Sequence, residues 1–205
     1  MALARKRAGA AVLLRALRAL APVALCCLSA AHAGAGWREA SGTPVLVGEA
    51  DARFWGFRLY HATLWSDRRP FDPARPFALE LRYYRSISRD RIVSTSIDEI
   101  ARLAAADRAS AGDAPGSDSA LPSGKMQQWR QRLLAAMVDV DDGDRLIGVY
   151  LPGRGVRFYL VRKGQAEQVL GEIDDDEFAR AFFAIWLDSH TREPSLRAHL
   201  LGAGG

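Results

Sequence analysis

Apolar and polar positions alternate most cleanly at residues 77–84, FALELRYY. Phe77, Leu79, Leu81 and Tyr83 fall on one side, Glu80, Arg82 and Tyr84 on the other. That period of two predicts a strand with one face on a core. Upstream, PVLVGEA (44–50) predicts a short strand. RFWGFRLYHATLW (53–65), rich in aromatic and branched residues, predicts a long one, with Gly56 marking a bulge or bend. The three prolines of PFDPARP (70–76) place a loop between these strands and the next.

The period then changes. Ser88 offers a cap for a helix running to about residue 106, with Val93, Ile97, Ile100 and Ala104 on one stripe. Residues 109–124, ASAGDAPGSDSALPSG, have little to bury and read as a flexible insertion. A second helix buries Met126, Trp129, Leu133 and Met137. RLIGVYL, VRFYLV and VLGEI follow, separated by the turns PGRG and RKGQ, which predicts a meander of three antiparallel strands. The chain closes on a helix in DDDEFARAFFAIWLD (174–188) and a short helix over 194–201. Asp174 is the expected cap of the longer one. The acids of its first turn are stabilised by the exposed N–H groups and the helix dipole, without a metal. Phe178, Ala181, Phe182, Ile185 and Trp186 give it a wide apolar face, broadened by Phe183 and Leu187. It is too short to cross a bilayer, which takes about 20 apolar residues. Strands, helices, strands, helices, without βαβ alternation, predict an α+β fold.

Charge changes the picture only at the N-terminus. Residues 1–33 read as a secretory leader, with a basic start at Arg5, Lys6 and Arg7, an apolar stretch and the cleavage motif AHA. The expected mature domain is 34–205, periplasmic or secreted, without a stable membrane span after cleavage at Ala33. Five of the 28 basic residues and none of the 24 acidic ones lie in the leader, leaving 23 basic against 24 acidic groups. The formal charge of +4 therefore belongs to targeting, and no nucleic-acid partner is expected. Cys26 and Cys27 are both in the leader, so the mature domain would have neither disulfide nor thiolate ligand.

No motif demands a metal or cofactor, and none is expected. In DVDDGD, counted from Asp139, Gly143 is fifth and Tyr150 twelfth, which does not fit a calcium loop. His61, His190 and His199 are scattered without ligand spacing. PGRG lies between strands and presents no helix N-terminus to a phosphate. Arg53 and Tyr60, on the expected long strand, could hold a carboxylate through a guanidinium fork and a hydroxyl. The aromatics of the last long helix either pack as core or wall a cavity.

FRLYHATLW, LELRYYRSIS, VDVDDGDRLIGVYLPGRGVRFYL and EFARAFFAIWLDSHTREPSLRAHLLG together resemble the bacterial, exported branch of the chalcone isomerase-like superfamily. The resemblance implies an open-faced β-sandwich, a large antiparallel sheet with helices on one face and a ligand cleft between them. It also implies that Tyr60 stands where the enzymes have Thr, Ile92 where they have the catalytic Tyr, and Ala184 and Ile185 near a polar contact to the flavonoid. The groups that steer cyclisation are thus largely missing. The expected function is non-catalytic binding of a small apolar, fatty-acid-like ligand. Arg53 and Tyr60 would hold its polar end, and Trp129, Phe178, Phe182 and Ile185 would wall the cavity. An isomerase or intramolecular lyase using Tyr60 for proton handling is one alternative. A structural or partner-binding module with a filled cleft is the other.

Overall fold

Six strands pair antiparallel in chain order: β1 (Val45–Phe54), β2 (Phe57–Ser66), β3 (Phe77–Tyr83), β4 (Arg145–Leu151), β5 (Gly155–Val161) and β6 (Glu167–Ile173). The computed structural model describes residues 36–54, 56–112 and 123–203. The expected leader lies outside them, as does 113–122, most of the expected insertion. What remains of that insertion is helical: α2 (Arg89–Ala111) runs five residues past its expected end, and α3 (Ser123–Ala136) begins inside the stretch. Two further helices, α4 (Asp176–Leu187) and α5 (Pro194–Leu200), complete the helical layer. A short α1 (Trp37–Ala40), which the sequence pattern did not suggest, precedes β1.

Alternation assigns the two faces of the sheet. The inner face presents Ala62 and Leu64 from β2, Phe77, Leu79, Leu81 and Tyr83 from β3, Leu146 and Tyr150 from β4, and Val156, Phe158 and Leu160 from β5. These join one core with Val93, Ile100, Trp129, Leu133, Phe178, Phe182 and Phe183 of the helices. The outer face carries a smaller cluster, Ala78, Ile147, Val149 and Tyr159, covered by Trp37 of α1. Arg38 stacks its guanidinium over both Trp37 and Trp65, closing that half of the outer face. The other half is left to polar side chains.

The long strand expected over 53–65 is in fact a hairpin. β1 continues to Phe54, Gly56 turns the chain at φ 81°, and β2 returns alongside. A left-handed residue at that tight turn is what glycine supplies without steric cost. The edge strand β1 is then covered by α5, which Gly48 permits. A Cβ at residue 48 would lie 2.0 Å from the His199 carbonyl oxygen.

The α4 N-terminus is fixed by two carboxylates. The cap is Asp175, one residue after the expected Asp174, and its Oδ1 accepts from the Phe178 N–H at 2.9 Å. Its Oδ2 accepts from Trp129 Nε1 of α3 at 3.0 Å. Asp176 Oδ1 accepts from the Tyr150 hydroxyl and the Gly153 N–H, each at 2.9 Å, and its other oxygen pairs with Arg180. The cap moved because only Asp175 reaches both the first turn and the Trp129 indole. Burial alone would raise the Asp176 pKa. The Tyr150 and Gly153 hydrogen bonds and the Arg180 guanidinium outweigh it, and the carboxyl lies below its usual range.

Asp175→Ala removes both a helix cap and the only acceptor of a buried indole N–H among the described residues. It is expected to cost about 2–4 kcal/mol, read as a lowered urea midpoint at unchanged slope. A depressed carboxyl contributes stability that is present above its unfolded pKa, about 3.9, and lost as pH falls through the lower folded value. Asp176→Asn is therefore expected to be less stable than wild type at pH 7, with the gap narrowing by pH 3 in parallel urea melts. A gap that does not change with pH would show that the charge of Asp176 contributes nothing.

Candidate functional site

Two adjacent strands meet α4 on the inner face around Tyr60. The register pairs Tyr60 with Ala52 on one side and Tyr83 on the other. The Tyr60 and Tyr83 rings meet edge to face at 5.9 Å. From above, Trp186 of α4 donates its Nε1–H to the Tyr60 hydroxyl at 2.9 Å. Burial pushes the Tyr60 pKa up to about 12, the Trp186 hydrogen bond opposing the shift and the Glu193 carboxylate adding to it. Burial raises the Tyr83 hydroxyl as well, with Tyr60 adding to it. Tyr60 is thus a neutral phenol at physiological pH. It accepts from Trp186 and keeps its own proton to donate.

Arg53 is not part of this arrangement. It sits at the end of β1, beyond a bulge that leaves Leu59 without a register partner, and its side chain is 60% exposed. Its guanidinium is 3.9 Å from Asp51 on the outer face, where Asp51 also binds His61 Nδ1 at 2.9 Å and the Tyr84 hydroxyl at 3.2 Å. The His61 hydrogen bond is the main cause of an Asp51 pKa below the usual range, with burial working against it. Arg53, Glu49, Asp51 and His61 line a hollow of about 600 Å³ against Glu193, Ser195 and His199 at the β1 edge. Three carboxylates surround Arg53 there, a poor setting for capturing a fourth. The expected Arg53–Tyr60 clamp is corrected on this ground: the two residues occupy different strands and opposite faces.

Three of the expected wall residues do come together. Trp129 meets Phe178 edge to face at 5.6 Å, and Phe178 stacks on Phe182 at 5.8 Å. Phe182 touches Phe158 of β5 at 5.3 Å and Trp186 at 5.4 Å. The rings form a continuous column from α3 along α4 to Tyr60, packed on one another. Ile185 lies on the partly buried flank of α4, and its carbonyl accepts from the Thr191 hydroxyl at 2.8 Å. Ile92 and Ala184 are partly buried, on α2 and α4.

Trp186 and Tyr83 belong to this site although neither was singled out for it. Trp186 follows Phe178 and Phe182 at intervals of four, so helical periodicity marked its face, but its partner depends on the sheet register. A metal-like group also occurs. Ligand atoms of Asp107, Asp188 and His190 lie within 4.8 Å of one another. His190 Nδ1 is 3.3 Å from both carboxylates and Nε2 is 3.3 Å from the Ser110 hydroxyl, so the ring serves as a tie between α2 and the end of α4.

No curated protein matches this chain in sequence. A solved fatty-acid binding protein of Arabidopsis thaliana shares its fold, with a TM-score of 0.52 at 9% identity over 78% of this chain and 87% of that one. The family model described as chalcone isomerase-like matches residues 57–202, from the first residue of β2 to just beyond α5. The six-stranded antiparallel sheet with its helical layer is thus the α+β open-faced sandwich of that fold, and the chain belongs to the chalcone isomerase-like family.

Proposed function

We propose that this chalcone isomerase-like domain binds a small apolar ligand with an oxygen-bearing polar end, without turning it over. Tyr60 is the polar anchor and the α4 aromatics are the apolar contact. The carrying observation is the Tyr60–Trp186 pair: a protonated phenol with a spare proton, set in an apolar layer. Such a group donates to a carboxylate or carbonyl oxygen, and hydrogen bonds to charged groups are worth about 1.5–3 kcal/mol. The fatty-acid binding protein of the same fold supports the ligand class. A phenol protonated to about pH 12 is a poor general base at neutral pH, which weakens the isomerase reading. The leader expected at 1–33 would place the binding in the periplasm or outside the cell. Among the described residues no helix is long and apolar enough to cross a membrane.

One observation favours a second reading, a structural or partner-binding module. Trp129, Phe178, Phe182 and Phe158 already fill one another's contacts. A ligand must part this column or lie beside it along the flank carrying Ile185.

Native mass spectrometry of protein purified from the periplasm, followed by titration with palmitate, separates the two. The binding reading expects a copurifying lipid-like mass and palmitate affinity about 10-fold weaker in Tyr60→Phe, with Arg53→Ala unchanged. Absence of any such mass, with palmitate indifferent to Tyr60→Phe, would leave the filled-layer module standing.

A further inference from the structure

The uncovered half of the outer sheet face carries a basic hollow, separate from the layer around Tyr60. The register sets Arg82 of β3 directly opposite Arg145 of β4. Side chains directly opposite on neighbouring strands have Cβ atoms about 4.5–5.5 Å apart, and like charges there are destabilising. The pair lines a hollow of about 490 Å³ on this face, with Arg162 and Lys163 from the turn after β5 on its rim.

The protein neutralises only part of this charge. Arg145 donates to Glu80 at 3.2 Å, and Arg162 donates to the buried Asp144 at 2.8 Å. Arg82 and Lys163 have no acidic partner among the described residues, which leaves a surplus of two positive charges. Lys163 is not a free strand of charge, because its stem lies over Gly143 in the facing turn. A further observation is independent of charge. Thr63 of β2 lines the same hollow, which places a hydroxyl beside the basic groups.

We propose that this hollow binds a phosphate-type oxyanion of about two negative charges, free or as the headgroup of an anionic lipid. Arg82 and Lys163 provide the charge, Arg145 reaches the anion from across the strand pair, and the Thr63 hydroxyl donates to one of its oxygens. Arginine's planar fork suits such an oxyanion, and an anion between Arg82 and Arg145 removes their repulsion.

The test uses the full chain in phosphate-free buffer, with inorganic phosphate and phosphatidic acid vesicles as separate probes. Phosphate is expected to raise the wild-type Tm by about 3 °C near saturation. Arg82→Gln should weaken the affinity about 10-fold, whereas Arg91→Gln, on the helical side, should leave it unchanged. Without phosphate, Arg82→Gln should be at least as stable as wild type, since it removes a like-charge pair. Sedimentation with phosphatidic acid vesicles, lost in Arg82→Gln, would identify a lipid headgroup as the source. Response to phosphate alone would identify a free anion. The proposal is overturned if neither probe binds, if both bind Arg82→Gln as well as wild type, or if that variant is the less stable protein in phosphate-free buffer.

Discussion

The helical layer depends on one carboxylate. Asp175 caps α4 through the Phe178 N–H and holds α3 through the Trp129 indole, with Arg132 of α3 a further 3.4 Å contact. A charged acceptor with several donors in a partly buried place gives a short, directional joint. The apolar contacts around it are large but have no direction of their own, since hydrophobic burial fixes area rather than angle. Asp175 supplies the angle. Once it is set, Phe178 lies against Trp129, Phe182 lies over Phe158, and Trp186, two turns on from Phe178, reaches Tyr60. Asp176 gives a second fixed point, to the β4–β5 turn through Gly153 and to β4 through Tyr150. A site at the far end of α4 is therefore positioned by acids at its near end.

That joint also accounts for three acids of the run without calling on a metal. Each of Asp175 and Asp176 spends its oxygens on donors from the protein. Glu177 pairs with Lys125 of α3, which adds to the same α3–α4 contact. Asp175, Asp176 and Glu177 are thus engaged separately, each by donors from a different part of the fold.

Much of the fold was legible because it rests on periodicity. The alternation in 77–84 assigned the faces of β3 correctly, and the spacing of Phe178, Phe182 and Trp186 marked the buried side of α4. The failures have local causes. Residues 53–65 contain apolar and aromatic residues on both sides of a single glycine, and composition cannot tell a bulge from a two-strand turn when both need glycine. The α2 end ran on because Ala-rich sequence after residue 106 propagates a helix well until Gly112 ends it at φ 80°. The hydrogen bond between Tyr60 and Trp186, 126 residues apart, was out of reach because it depends on the register of β2 and the axial position of α4 together.

The misplacement of Arg53 follows from the same geometry. Residues seven apart on a regular strand point to opposite faces, so a clamp on one strand required Gly56 to shift the alternation by one. Gly56 instead reverses the chain, and Arg53 is carried to the face that holds Asp51 and His61. Segregation by face then separates the chemistry of the whole domain. The inner face keeps hydroxyls and indoles, neutral groups that tolerate burial when hydrogen-bonded, while the arginines of β3 and β4 remain on the outer face where water reaches them. A guanidinium brought inside beside Tyr60 would need a carboxylate to accompany it, and none of the residues packed there supplies one in direct contact. The polar groups of this layer are accordingly neutral donors, whereas full charges are kept on the opposite surface of the same sheet.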